Sequence, residues 1–321
     1  MTSYLIRRLL QSIPLLAGIS IVVFLLLQMT PGGPLVAGEG ATQASPEQMA
    51  QLREQYGLDK PLPTQYANWI GGLVTGDWGV SYNSGEPVIG MIAERVPLTL
   101  LLTGMALLVA LLIALPVGIV SAYRRNSVFD YTSTGMAFAG LSTPSFWFGL
   151  MLLYVFSYQL HWLPSSGISD LRSDHQGLAA AVDLGAHLIM PVTVLSLITV
   201  AQLTRYVRSA MIEVLDQDYV RTARGSGLPE RIVVLHHAFK NAATPVVTIA
   251  VLSVPELFLG AVITESIFSL PGMGRIFVES ANLRDYPVLL GILMVAAVLV
   301  VLANLLADLV YGWLNPRISY E

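Results

Sequence analysis

Few residues in this chain are placed to do chemistry, and the usual catalytic arrangements are missing. Holding nucleotide phosphates in a P-loop takes Gly-Lys-Ser or Gly-Lys-Thr, because glycine amides cradle the phosphates while the lysine neutralises them. The chain has only two lysines, Lys60 and Lys240, and neither follows a glycine. There is no Gly-x-Ser-x-Gly elbow, no histidine pair at metalloprotease spacing and no regular ladder of acids such as a proton pump needs. The absence of cysteine excludes disulfides, thiolate metal sites and a cysteine nucleophile. His236 and His237 are neighbours, so on a helix they point to different faces and read as interfacial residues rather than ligands. What is left is charge placed among apolar residues. Glu256 stands between Pro255 and Leu257 inside an apolar run, where a carboxylate facing lipid would be costly. Three readings are open: it lines a passage, it bonds a carbonyl freed by Pro255, or it pairs with a neighbouring subunit. Asp308, late in the last apolar run, reads as interfacial.

The elements that must position such a group are membrane spans. Of 321 residues 54% are hydrophobic and 12% charged, with a mean hydropathy of +0.65, which rules out an ordinary water-solvated domain. A net charge of −4 with scattered Lys and Arg offers no field for nucleic acid. Apolar runs near 9–29, 98–122, 132–160, 188–204, 242–264 and 288–307, uncharged but for Glu256, predict six transmembrane helices in an all-α integral membrane protein. The first follows Arg7 and Arg8 and is too long for a cleaved signal peptide, so it reads as a retained signal-anchor. Pro144 predicts a kink in the third. With the N-terminus in the cytoplasm, 11 of the 17 Lys and Arg fall on the inner side, and both termini lie inside.

The chain divides into a signal-anchor with the first helix (1–30), an external segment (31–97), a membrane core (98–314) containing an inner loop (209–241), and a cytoplasmic tail (315–321). The external segment carries Glu39, Glu47, Glu54, Asp59, Asp77, Glu86 and Glu94. Ser45 before Pro46 and Glu47 marks a helix start, and Trp69 and Trp78 predict a packed rather than disordered segment. An inert cap and a docking or gating surface are both open for it. In the inner loop, Asp218-Tyr219-Val220-Arg221-Thr222-Ala223-Arg224-Gly225-Ser226-Gly227-Leu228-Pro229-Glu230-Arg231 predicts a short helix, a break at Gly225 and Gly227, and a second helix from Pro229 and Glu230. It reads either as a rigid lever or as an ordinary solvated turn. Pro271-Gly272-Met273-Gly274 predicts a tight outer loop, either a plain turn or a gate element.

This inner loop resembles the cytoplasmic EAA loop of ABC importer permeases, in the oligopeptide and dipeptide form where Asp-Tyr-x-Arg-Thr-Ala-Arg-x-x-Gly-Leu is typical. The similarity runs along nearly the whole chain. It takes in Arg7-Arg8-Leu9-Leu10, Pro31-Gly32-Gly33-Pro34, Tyr56-Gly57-Leu58-Asp59-Lys60-Pro61-Leu62 and Gly76-Asp77-Trp78-Gly79. Further on it takes in Pro144-Ser145-Phe146-Trp147, Trp162-Leu163-Pro164-Ser165-Ser166-Gly167 and Glu265-Ser266-Ile267-Phe268-Ser269-Leu270-Pro271-Gly272-Met273-Gly274. The resemblance implies a methionine-importer-like permease core, with a long external loop after helix 1 that suits the B-type subunit. Such a subunit is non-catalytic and moves di- or oligopeptides across the prokaryotic cytoplasmic membrane by alternating access.

By that resemblance Tyr219, Arg221, Thr222, Ala223, Arg224 and Gly227 would form a coupling helix seated on a cytoplasmic ATPase. Ala223 and Gly227 would permit close approach, and Arg221 and Arg224 would meet acidic or backbone groups. The general motif opens with Glu where this chain has Arg221, which is usual in the peptide type. ATP and Mg would sit on two partner ATPase domains, with no cofactor or metal on this chain. A second related permease would complete the pathway, and an external solute-binding protein would dock on the 39–94, 170–183 and 265–285 loops. Glu256 would line the path and meet a peptide's amino group, with Glu265, Pro271 and Gly272 as further pathway or gate residues. The alternatives are a permease of this type for nickel chelates or oligosaccharides, and a stand-alone transporter driven by an ion gradient. An intramembrane hydrolase would need a nucleophile and base in register, and no such pair stands out.

Overall fold

The computed structural model describes residues 2–31, 33, 46–170 and 176–314. Gly32, Pro34, Glu39, Ser45, Arg172 and the 315–321 tail with Arg317 lie outside the described residues. Among those described, every regular element is helical: α1 (Thr2–Gln28), α2 (Pro46–Gln55), α3 (Leu62–Thr75), α4 (Val88–Tyr123), α5 (Val128–Ser142), α6 (Ser145–Leu152), α7 (Leu178–Leu215), α8 (Asp218–Gly225), α9 (Glu230–Ile232), α10 (Phe239–Ile267), α11 (Met273–Leu283) and α12 (Tyr286–Leu314). α6 runs on into a π-helical turn, Leu153–Gln159, and a second one, Val233–Ala238, joins α9 to α10.

Five runs are long and apolar enough to cross a membrane: α1, α4, α7, α9 with α10, and α12. α5 and α6 are long and apolar enough only when taken together, and they bend by 99° at their junction, which gives five spans, or six with the bent pair as one. The sequence predicts one kinked helix there, and the break is sharper. Pro144 has no N–H to continue a helix and drives Thr143 into extended backbone (φ −85, ψ 120), so α5 stops and α6 starts afresh.

The chain forms two compact units, the first from residues 100–270 and 302 onward, the second from 2–99 and 271–301. In the first, α4, α7 and α10 pack through small residues, with Ala110, Ala114, Leu203 and Ala250 in one buried cluster. At Gly118 a Cβ would stand 2.7 Å from Val207, so α4 approaches α7 this closely only with glycine there. In the second unit α3 packs on α1. The ring of Trp69 stacks on Phe24 at 5.8 Å, and the hydroxyls of Ser20 and Tyr66 are hydrogen-bonded at 2.8 Å. The rest of α1 presents exposed Ile6, Leu9, Leu10, Ile13 and Leu26, a surface suited to lipid. The packing expected between the first two spans is seen in α3, whereas the described side chains of α2 are exposed.

Candidate functional site

α8 begins after Gln217 in extended backbone (φ −75, ψ 148), and Asp218 in its first turn and Arg224 in its last complement the helix dipole. It closes where the Ser226 N–H donates to the Thr222 carbonyl and the Gly227 N–H to that of Arg224. Gly227 takes the left-handed turn at φ +75, whereas Gly225, expected to share that role, lies within the helix. An eight-residue helix is too short to persist in water alone. It is held by Val220 and Ala223, three residues apart, which are buried in a cluster with Val207 and Met211 of α7, Val233, Val234 and Ala238 of the π-turn, and Ala242 of α10. Burial of Val220 contributes on the order of 2 kcal/mol.

The rest of the α8 surface is exposed, with Arg221 and Thr222 away from the seat and Tyr219 and Arg224 flanking it. Arg221 pairs with Asp218 at 3.3 Å and Arg224 with Glu230 at 2.9 Å. Ala223, which the resemblance assigns to the approach of a partner, is turned inward, and its small side chain lets α8 settle on its own chain.

Behind this seat stands a group that the sequence reading missed. Arg208 of α7 donates through Nε and Nη2 to Asp130 Oδ1 and Oδ2 at 2.5 and 2.8 Å. Ser121 of α4 donates its hydroxyl to Oδ1 at 2.5 Å, and the Asn126 N–H donates to Oδ2 at 2.9 Å. Asp130 is only 2% exposed, and its own N–H bonds the Ser127 hydroxyl that caps α5. One buried carboxylate therefore ties α4, α5 and α7 together, with Val207 and Met211 beside Arg208 on α7 bearing α8. The Ser127-x-x-Asp130 spacing announces a helix start. It does not name a partner 78 residues away.

Glu256 lines a recess of about 470 Å³ in the first unit. The walls are Gln202, Arg205, Tyr206 and Ser209 of α7 and Ile249, Leu252, Ser253 and Glu256 of α10, with Leu141 of α5. Each set follows an i, i+3, i+4, i+7 spacing and so forms one stripe on its helix. Arg205 and Glu256 are both exposed on the recess, and the guanidinium carbon of Arg205 lies 5.0 Å from the centre of the Phe138 ring.

The other expected pathway or gate residues do not gather there. Glu265 is fully buried near the end of α10, where its carbonyl accepts the Leu270 N–H. Pro271 and Gly272 belong to the second unit and introduce an 11-residue helix rather than a bare turn, with the Met273 N–H donating to Thr99 Oγ1 at 2.9 Å. The rings of His236 and His237 meet edge to face at 5.6 Å within the π-turn.

The second unit buries a carboxylate of its own. Asp285 is 3% exposed and accepts from the Ser81 hydroxyl at 2.5 Å, the Tyr82 N–H at 3.1 Å and the Asn83 amide at 3.4 Å. Burial, then the charge of Asp285, then Tyr56 push the Tyr82 phenol above the usual tyrosine range. A cavity of about 410 Å³ nearby is walled by Tyr56, Trp69, Trp78, Tyr82 and Tyr286 among others.

Comparison with known proteins covers both ends of the chain. Residues 1–103 match the family described as the N-terminal part of the binding-protein-dependent transport system membrane component, and residues 114–320 match the inner membrane component of that system. The chain is 44% identical to the oligopeptide transport system permease protein AppB of Bacillus subtilis over the full length of both. It is 40% identical, again over all of both chains, to the dipeptide transport system permease protein DppB of Escherichia coli K12 and to the di/tripeptide transport system permease protein DppB of Pseudomonas aeruginosa. A solved structure of the MetNI methionine ABC transporter in inward-facing conformations has the same fold, with a TM-score of 0.56 and 17% identity over 71% of this chain and 98% of that one.

Proposed function

The chain belongs to the family of binding-protein-dependent transport system inner membrane components, and from that premise we propose that it is the peptide-carrying permease subunit of an ATP-driven importer. It is a multi-pass membrane protein, and its full-length relatives carry oligopeptide, dipeptide and di/tripeptide names. Those names favour peptides over nickel chelates or oligosaccharides as its cargo. The observation that carries the reading is α8, a short helix seated by two inward residues and presenting Tyr219, Arg221, Thr222 and Arg224 outward.

In this reading two cytoplasmic ATPase domains, which bind ATP and Mg, receive the outer face of α8, with Gly227 ending the helix so that its last turn stays accessible. Closure of the ATPases presses α8 against its seat, and the load passes into α7 and α10, whose facing stripes line the recess. The Asp130–Arg208 pair carries α5 with them, so that the helices rock as a body between outward-open and inward-open states. Glu256 faces the cargo path. A second, homologous permease forms the other wall, and an external solute-binding protein delivers peptide to the outer, acid-rich segments. Both termini lie in the cytoplasm, in keeping with the inner surplus of Lys and Arg.

The test is affinity purification of the chain from its native membrane, comparing it with R221E/R224E. A second permease and P-loop ATPases are expected to come with the unsubstituted chain, and the double variant is expected to keep the permease and lose the ATPases. Recovery of the chain alone, or only with copies of itself, would sink the reading and bring an ion-coupled transporter forward.

A further inference from the structure

The recess between α7 and α10 holds two opposite charges that do not neutralise each other. α7 and α10 run antiparallel, and their register follows from three contacts: Leu203 clusters with Ala250, a Cβ at Gly260 would meet Leu195 at 3.3 Å, and Val207 and Met211 cluster with Ala242 and Val246. Glu256 is therefore level with the turn of α7 that precedes Arg205 by about seven residues, a backbone offset of roughly 10 Å at 1.5 Å per residue. Helix side chains lean toward their own N-terminus. Because the helices are antiparallel, Arg205 leans toward the level of Glu256 and Glu256 toward that of Arg205. The gap narrows, yet the two do not form an ion pair with each other. A carboxylate and a guanidinium held apart on spanning helices invite a ligand with both charges.

We propose that Glu256 and Arg205 form a zwitterion-reading site on the transport path, with the carboxylate taking a peptide's α-ammonium and the guanidinium its terminal carboxylate. The proposal rests on the reading of the chain as a peptide permease. Two extended residues span at most about 7 Å, less than the backbone offset of roughly 10 Å that the leaning side chains shorten, so the site suits short peptides. A guanidinium grips a carboxylate by two parallel hydrogen bonds, which a neutral amide of the same size cannot supply. By the same register Gln202 and Ser253 stand between the levels of the two charges and Tyr206 beside Arg205, and all three line the recess with oxygens or nitrogens that can meet a peptide group. Leu141, Ile249 and Leu252 give a wall without polar preference. Such a site reads the two ends common to all peptides and ignores side-chain identity, as a permease for mixed peptides requires.

Binding of dialanine, N-acetyl-dialanine and dialanine amide to the solubilised, complete importer without its binding protein is measured by saturation-transfer NMR at millimolar peptide. Dialanine is expected to bind, and E256Q and R205Q are each expected to weaken it about tenfold. E256Q is expected to leave N-acetyl-dialanine unaffected and R205Q to leave dialanine amide unaffected, while R205K, which keeps the charge but not the paired hydrogen bonds, recovers only part of the dialanine affinity. Equal weakening of all three ligands, no weakening of any, or loss of the second permease from the complex in either variant overturns the proposal. In the last case the pair is a contact between subunits. ATP-driven uptake of dialanine into proteoliposomes by the unsubstituted importer checks the premise separately: its absence removes the peptide-permease reading itself, whereas uptake without the charge-specific losses removes only the site.

Discussion

Asp130 in the first unit and Asp285 in the second are buried to nearly the same degree, yet their surroundings share little. Asp130 is met by the guanidinium of Arg208 on another spanning helix, with the Ser121 hydroxyl and the Asn126 N–H completing its shell. Asp285 is met by neutral donors from one short stretch, Ser81 to Asn83, and precedes α12, whose first N–H groups favour a negative charge. The first arrangement spends a cation to fasten helices that are remote in sequence. The second uses dipoles to fix a turn. A carboxylate of the first kind is replaceable only together with its partner, and one of the second kind tolerates loss of its charge while its acceptor geometry survives.

The largest break in this contrast is expected from Arg208→Ala. It leaves Asp130 buried without its counter-ion and should cost about 3–5 kcal/mol of stability, whereas Asp130→Leu with Arg208→Met should recover most of it. Denaturation of the purified protein in detergent measures both. If the single variant is as stable as the parent, the pair is not what fastens α5 to α7. Asp285→Asn keeps an acceptor for the Ser81 and Tyr82 donors and should cost about 1–3 kcal/mol in the same assay. A loss larger than that of Arg208→Ala would reverse the ranking.

The smallest effect sharpens the comparison most. The phenol of Tyr82 is held neutral above the ordinary tyrosine pKa of about 10, so its contribution to stability is whole below that pH and declines as the pH rises above it. Burial is the first cause and Asp285 the second. Asp285→Asn should therefore bring the phenol only part of the way back, as read from the 295 nm absorbance difference against Tyr82→Phe. A complete return would make the carboxylate, not burial, the dominant cause.

The spans were legible in the sequence because length and apolar composition are what a bilayer selects, and Pro144 announced the break between α5 and α6. The short helix α8 was legible too, although Gly227 alone makes the left-handed break and Gly225 stays within the helix. What the α8 residues face was not. Val220 and Ala223 turn inward because α7 and the π-turn offer them a surface, and no local pattern states that. Arg205 and Arg208 appeared only as inner cations in an orientation argument, since a single helix stripe does not say which neighbour it meets. Glu256 stood out by its cost among apolar residues, whereas Asp130 sat at a helix start, where an aspartate is ordinary. Glu265 was grouped with Glu256 through the family resemblance. Nine residues along a helix turn through two and a half turns, which is enough to separate a recess from an enclosed position.

The π-helical turn at Val233–Ala238 fixes something that neither length nor composition records. An α-helix advances by about 100° per residue, so the additional residue in a wider turn offsets the azimuth of all that follows it. Val233, Val234 and Ala238 are set by α8, and the stripe from Ile249 to Glu256 is set by α7. The turn is the phase adjustment that lets one continuous run of backbone satisfy both. Tightening the turn to α with every residue kept would swing Glu256 about 100° around the axis of α10, away from Arg205, whereas deleting one residue with it would leave that azimuth in place.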